Sequence, residues 1–263
     1  TIKEGQKTGS LLQVIDHTVT ASGGRLLKEW VSKPLKSKTE IEKRLSLVEE
    51  LLYNRNIRTQ LQEALQKMYD IERIVAKIAV GLAIPADLIN LKLSIQEVSI
   101  IKTKLKLLEN DYAKELCEQI PEELSRVFEI ISKNILDAPK NDIHSGGIIQ
   151  LGVDATLDKL RGALEHGKSW IAEFEQKQRA ATGINSLKVK YNKVFGYYIE
   201  VSNAHIKNIP TEYIRKQTLV NNERFTTPEL AQQEELILHA KEESTQIEEA
   251  LFLKTIASIV PYI

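Results

Sequence analysis

The chain reads as mainly α: a multi-helix bundle with two long antiparallel helices that carry a small inserted antiparallel β-sheet. Three observations predict this. Apolar residues recur at helical spacing through most of residues 1–185 and again through 227–263. Between 186 and 226 the period changes to alternation. Turn and cap residues stand where the period changes. The chain therefore divides into a helical core with an ascending helix (1–185), a β insertion (186–226) and a returning helix (227–263).

Each element follows from local chemistry. Thr20 supplies an N-cap for a helix through Leu26, Leu27, Trp30 and Val31 that stops near Pro34. Ser37 and Glu40 stand in capping-box relation, ahead of Ile41, Leu45, Val48, Leu51 and Leu52 at helical spacing. Asp70 opens DIERIVAKIAV, with Ile71, Ile74, Val75 and Ile78 on one stripe. Pro85 needs no N–H at a first helical position and starts a helix through Leu88, Leu91, Ile95, Val98 and Ile101. Further helical segments cover 111–118 and 121–133, and short connections imply a packed helical domain.

Gly146–Gly147 break the pattern. A long helix then runs from roughly Val153 to Ala181, with Leu157, Leu160, Leu164, Trp170, Ile171 and Phe174 as its apolar positions. It would span on the order of 40 Å. Its surroundings, 147–182, hold five acidic and five basic residues, which suits a solvated helix with one packing partner. In LKVKY, Leu187, Val189 and Tyr191 face one way, and Lys188 and Lys190 the other. Asn192 and Gly196 give NKVFG its turn chemistry. In the next strand Tyr197, Ile199 and Val201 alternate against Tyr198 and Glu200. A loop through Asn203, His205, Asn208 and Pro210 leads to a third extended segment, about Arg215–Val220. A tight turn at 221–223 and a short RFTT strand complete the sheet. Thr227 as N-cap, Pro228 behind it and Glu229 at the positive helix end restart the helix. Leu230, Leu236, Ile237, Ala240, Ile247, Leu251 and Ile256 mark its course.

The 263 residues contain 36 basic and 36 acidic side chains, so the whole molecule is not a polycation. The β insertion is different. It holds seven basic residues, Lys188, Lys190, Lys193, Lys207, Arg215, Lys216 and Arg224, against Glu200, Glu212 and Glu223, a net charge of +4. The returning helix region has net charge −5, and 1–185 has +1. Cations on the insertion would neutralise phosphates and release counterions, giving salt-sensitive binding without sequence choice. Asn192, Asn203, Gln217, Thr218, Asn221 and Asn222 would add neutral hydrogen bonds. The same charge also fits a solvated, lysine-rich β face. Tyr191, Tyr197, Tyr198 and Phe225 have faces on which bases stack, but a sheet this small needs aromatics for its core.

Other classes are disfavoured. A lone cysteine, Cys117, cannot form an internal disulfide and fits a reducing compartment and a helix-packing role. No apolar run approaches the roughly 18 residues of a membrane span. The polar opening TIKEGQKTGS does not read as a signal peptide, and a start at threonine with a stop shortly after Pro261 reads as a piece of a longer protein. The Gly5-Gln6-Lys7-Thr8-Gly9 run lacks the lysine and hydroxyl that a phosphate-cradling loop needs after its second glycine. Of His17, His144, His166, His205 and His239, none stands at metal-ligand spacing from another or from Cys117. Asp16 and His17 in IDHT read as partners for nearby backbone groups. The carboxylates fall at helix-surface spacings rather than as an acid/base pair, so the expectation is a chain with no catalytic site.

Several stretches carry a resemblance. SLKVKYNKVFGYYIEVSNAH and YIRKQTLVNNERFTTPEL resemble the clamp of the bacterial MutS family. DHTVTASGGRLLKEWVSKPL is similar to the opening of that family's core, or lever, domain, and DIERIVAKIAV and the Gly-Gly stretch follow its pattern. The resemblance runs through essentially the whole chain in order and departs at Gly24, where the family pattern has a small hydroxyl or similar residue. It implies the lever and clamp portion of a DNA mismatch-repair protein that works as a dimer, levers crossing and clamps closing around duplex DNA. It implies that a mismatch-reading domain with a Phe-x-Glu motif, a connector, and an ATPase binding ATP and Mg lie outside this chain, which itself holds no cofactor. The implied partners are double-stranded DNA, a second MutS subunit and a MutL-type protein, in a cytoplasmic, nucleoid-associated setting. DNA-backbone contact carries over to Lys190, Asn192, Lys193, Arg215, Lys216, Gln217, Thr218, Asn221 and Arg224. The rival reading is a helical scaffold whose β tip binds protein. An RNA-holding coiled-coil arm of the kind used by tRNA ligases fits less well, because it lacks a sheet at its tip.

Overall fold

The structure, a computed structural model, describes residues 10–263, so the Gly5-Gln6-Lys7-Thr8-Gly9 run lies outside the described residues. The described residues form ten α-helices and one four-stranded antiparallel sheet, a mainly α fold with a small β insertion. They fall into two units: residues up to 150 together with 251–263, and residues 151–250.

The first unit contains α1 (Leu11–Ile15), α2 (Ala21–Ser32), α3 (Lys38–Tyr53), α4 (Arg55–Gln66), α5 (Ile71–Ala79), α6 (Pro85–Leu105), α7 (Asp111–Glu118) and α8 (Leu124–Asn134). The caps read from the sequence are made. The Thr20 hydroxyl accepts the Gly23 N–H at 2.9 Å, the Ser37 hydroxyl the Glu40 N–H at 3.4 Å, and the Asp70 carboxylate the Arg73 N–H at 3.4 Å. The short α1, capped by Ser10, is an addition to the sequence reading. At the centre lies α6, whose Leu88, Leu91 and Ile95 are buried and against which α4, α5, α7 and α8 pack. A helix covered on several sides is apolar around most of its circumference. Asp87 joins α6 to α5: its carboxylate accepts the Ile84 N–H at 3.0 Å and the Lys77 ammonium at 2.8 Å. Cys117 is buried on α7, and Asp16 accepts the Thr18 N–H and hydroxyl, the local backbone role expected of it. Gly146 and Gly147, at φ 63° and 78°, take up backbone angles open chiefly to glycine, just past the short 3-10 segment Ile143–Ser145. Ile135 and Ile149, both buried, then form an antiparallel bridge.

The second unit is built on α9 (Ala155–Thr182) and α10 (Pro228–Ile259), the latter belonging to this unit as far as Ala250. With 28 residues, α9 is about 42 Å long. Asp154 caps its start by accepting the Thr156 and Leu157 N–H groups, and Gly183 ends it at φ 68°. The two helices run antiparallel: Arg161 meets Glu248 at 2.9 Å, while Lys177, further along α9, meets Glu229 at 3.4 Å, nearer the start of α10. Between these pairs, Gly167 lets the backbones approach, since a Cβ there would lie 2.6 Å from Ile237 Cγ1.

The insertion between α9 and α10 comprises β1 (Lys188–Asn192), β2 (Gly196–Ser202), β3 (Ile214–Thr218) and β4 (Asn222–Thr226), in the order β1-β2-β4-β3. Phe174 of α9 and Leu230 of α10 form one core with Ile184, Leu187, Ile199, Val201, Tyr213 and Phe225. Two details differ from the sequence reading. The last turn closes earlier than 221–223, with the Leu219 N–H donating to the Asn222 carbonyl at 2.9 Å, so β4 already begins at Asn222. The loop after β2 winds into a 3-10 segment, Asn203–Asn208. The helix restart is as read: the Thr227 hydroxyl accepts the Leu230 N–H at 3.1 Å.

Gly167 gives a test of this packing. In a helix interior, Gly→Ala alone gains about 1 kcal/mol of propensity. Overpacking a buried contact costs about 1–3 kcal/mol. Gly167→Ala is therefore expected to destabilise the second unit, and Ile237→Ala to reverse the sign of the glycine substitution. Urea unfolding followed by Trp170 fluorescence in a Trp30→Phe background checks both.

Candidate nucleic-acid interface

The sheet has two faces because side chains alternate along each strand. Leu187, Val189, Ile199, Val201 and Phe225 face the shared core. The opposite face carries Lys188, Lys190, Glu200, Arg224 and Gln217, brought side by side by the pairings Lys188↔Glu200, Lys190↔Tyr198, Glu200↔Arg224 and Gln217↔Arg224.

Polar anchors at the rim fix the sheet to the helix pair. On α9, Glu175 accepts the Val189 N–H at 2.7 Å, and Arg179 donates to the Leu187 carbonyl at 2.7 Å while pairing with Glu175 at 2.6 Å. One turn of α9 also presents Gln178, whose side-chain carbonyl accepts the Tyr213 hydroxyl at 2.7 Å. From α10, Glu234 accepts the Tyr197 N–H at 3.1 Å. These anchors were not read from the sequence. Partners 14, 35 and 37 residues apart leave no local spacing signal.

The candidate residues have different fates. Lys190 is half-exposed and donates to Glu200 at 2.6 Å, a bond that raises its pKa above the usual lysine value and holds it as a cation. Arg224 is largely buried; it donates to Gln217 at 2.7 Å, lies 4.3 Å over the Tyr198 ring and stands 3.9 Å from Glu200. Tyr198, which alternation puts on the outer face, is thus buried there beneath a guanidinium. Arg215 pairs with the buried Glu223 at 2.7 Å. Lys216 donates to the Phe195 carbonyl at 2.9 Å and stands 3.8 Å from Glu234. Asn192 accepts the Val194 N–H at 2.8 Å and so shapes the β1–β2 turn. Thr218 and Asn221 are exposed at the β3–β4 turn, where Asn203 donates to the carbonyls of Val220 and Asn221.

Lys193 is exposed at the tip of the β1–β2 turn and makes no ion pair among the described residues. The same holds for Lys188 on the outer face and for Lys207 in the 3-10 segment. Neither was among the site residues carried over from the resemblance, although both belong to the charge that drew attention to the insertion. The surface thus offers three unneutralised ammonium groups, with one half-exposed lysine beside a carboxylate. Among the described residues no three His, Cys, Asp or Glu side chains gather as a metal site.

The whole chain, residues 1–263, matches the family described as MutS domain III. The chain belongs to the MutS domain III family. Its relatives include proteins named DNA mismatch repair protein MutS from Caldanaerobacter subterraneus subsp. tengcongensis, 49% identical over 94% of this chain, and from Halalkalibacterium halodurans, 45% identical over 100% of it. A third, of the same name, comes from a Geobacillus species and is 42% identical over 100% of the chain. The match covers 28%, 30% and 31% of these three relatives, so this MutS domain III spans less than a third of their length.

The Tyr213 anchor makes a testable statement about this domain. Burial pushes the Tyr213 hydroxyl up to about 12, with Glu212 adding to the effect. The unfolded-state value is about 10. Because folding disfavours the ionised form, this contribution to stability is complete below about pH 10 and is lost as pH rises towards about 12. Tyr213→Phe is expected to cost about 1–3 kcal/mol at neutral pH, by leaving the buried Gln178 carbonyl without its donor. It is also expected to flatten the alkaline loss of stability between those two pH values. Unfolding midpoints across an alkaline pH series measure both effects.

Proposed function

We propose that this MutS domain III grips the sugar–phosphate backbone of duplex DNA with its β insertion, without sequence choice, as part of a mismatch-repair protein. The observation that carries the reading is the trio Lys188, Lys193 and Lys207, exposed and without an ion pair among the described residues, on an insertion whose other cations are paired. Unpaired ammonium groups release counterions from DNA, whereas a cation already facing a carboxylate brings little net charge. Lys190, Asn192, Thr218 and Asn221 add half-exposed or exposed hydrogen-bonding groups around them. The name of the relatives, DNA mismatch repair protein MutS, supports the same partner.

In this reading the segment has no catalytic site and no cofactor of its own. Mismatch reading and ATP hydrolysis with Mg belong to other parts of the full-length protein, which acts as a dimer and meets a MutL-type partner. α10 is one unbroken helix whose residues contribute to both units, and a stiff element of that kind suits the transmission of nucleotide state to the insertion. Among the described residues no helix is long and apolar enough to cross a membrane.

The test is fluorescence anisotropy with matched and mismatched duplexes across a salt series. Binding is expected to fall steeply with salt and to be equal for the two duplexes. Lys188→Ala and Lys193→Ala are each expected to reduce the slope of log affinity against log salt by about 0.9. Salt-insensitive binding, or a slope unchanged in both variants, would turn the assignment towards a protein-binding scaffold.

A further inference from the structure

One point in the second unit joins three elements far apart in sequence. Glu234 of α10 has a side chain only 14% exposed. Its carboxylate accepts the Tyr197 N–H at 3.1 Å and stands 3.8 Å from the Lys216 ammonium of β3. That ammonium also donates to the Phe195 carbonyl at 2.9 Å and approaches the Tyr197 carbonyl at 3.5 Å. Gly196, between those two carbonyls, has φ 71°, and a Cβ added there would overlap the Glu234 carboxylate. The β1–β2 turn, β3 and the returning helix therefore meet at a single charged pair, with no room for a side chain between them.

We infer that Glu234 and Lys216 form a positioning latch that holds the β1–β2 turn, and with it Lys193, in one orientation, and that Lys216 acts on protein backbone rather than on phosphate. An ammonium has three N–H donors and no acceptor. This one donates to the Phe195 carbonyl at 2.9 Å, with the Tyr197 carbonyl at 3.5 Å and the Glu234 carboxylate at 3.8 Å close by, so protein acceptors already draw it inward. A two-stranded ribbon is only marginally ordered by itself, and the β1–β2 turn lies beyond the stretch of β2 that pairs with β4, Ile199–Ser202. Its orientation has to come from elsewhere, and Glu234 supplies a charge-assisted bond to its backbone. The geometry is independent of what the sheet binds; only the consequence for DNA rests on the proposed backbone grip.

The test compares Lys216→Met, Glu234→Ala and Glu234→Gln with Lys193→Ala, each in the 263-residue chain. Amide hydrogen exchange is read first, without DNA. Lys216→Met and Glu234→Ala are expected to speed exchange at Tyr197 and through residues 193–197 by about tenfold, the loss of one charge-assisted bond, while Lys193→Ala leaves it unchanged. Glu234→Gln retains an acceptor for the Tyr197 N–H and is expected to fall between, which separates latch loss from general unfolding. Anisotropy is read second. The latch variants are expected to weaken duplex binding several-fold at fixed salt with an undiminished salt slope, whereas Lys193→Ala lowers the slope by about 0.9. A Lys216→Met variant with unchanged exchange and a slope reduced by about 0.9 would make Lys216 a phosphate ligand and overturn the latch. Unchanged exchange in Glu234→Ala would overturn it as well. Altered exchange in a chain that binds no duplex would leave the latch standing and remove the DNA reading alone.

Discussion

The inserted sheet cannot bury an interior by itself, and the rest of the second unit follows from that constraint. Strands of five to seven residues give each face too little area for a stable core. The missing half comes from the helices, through Phe174 on α9 and Leu230 on α10, closed by Ile184 and Leu187 just beyond the end of α9. Burial of this kind is favourable but non-directional. Direction comes from polar contacts at the rim, where Glu175, Arg179, Gln178 and Glu234 reach backbone or hydroxyl groups of the strands. Apolar contact thus holds the sheet on the helices, and hydrogen bonds decide which way its cations point.

The charge on the insertion is sorted by the same contacts. Glu200 lies between Lys190 and Arg224, Glu223 faces Arg215, and Glu234 faces Lys216. Arg224 lies over the Tyr198 ring and donates to Gln217, and Arg215 pairs with the buried Glu223, so both are held against the sheet by its own side chains. Lys188, Lys193 and Lys207 stand outside this arrangement. Under the proposed backbone grip, these are the ammonium groups that would meet a partner of uniform negative charge.

The first unit solves a different problem. Its centre is a single helix, α6, with neighbours tied to it by buried or half-buried carboxylates such as Asp87. At its start, α2 has no buried residue and exposes Leu26, Trp30 and Val31, with the Arg44 guanidinium 3.7 Å over the Trp30 ring. Arg25 holds that helix to the start of α5 through Asp70 and Glu72. Ion pairs and a cation–π contact, rather than apolar burial, are the contacts that α2 makes here.

Local chemistry was enough to place most elements. Thr20, Ser37, Asp70, Pro85 and Thr227 each act within a few residues of themselves, so their helix starts were legible in the sequence, as was the switch of period that marks the sheet. The turn before β4 was misplaced slightly because Asn203, 17 residues away, braces it from outside. The basic insertion was also visible as a count of charges, and the family resemblance located it. Which cations remain free was not visible, because neutralisation depends on carboxylates brought close across strands or from another helix. Arg224 meets Glu200 only through the β2–β4 register, and Lys216 meets Glu234 only once α10 has returned beneath the sheet. Sequence alone determined the elements, their order and the net charge of the insertion, since those depend on neighbours along the chain. The tertiary structure decided which lysines face solvent and which hold the frame, since Coulomb and hydrogen-bond energies depend on distance in space rather than on separation in sequence.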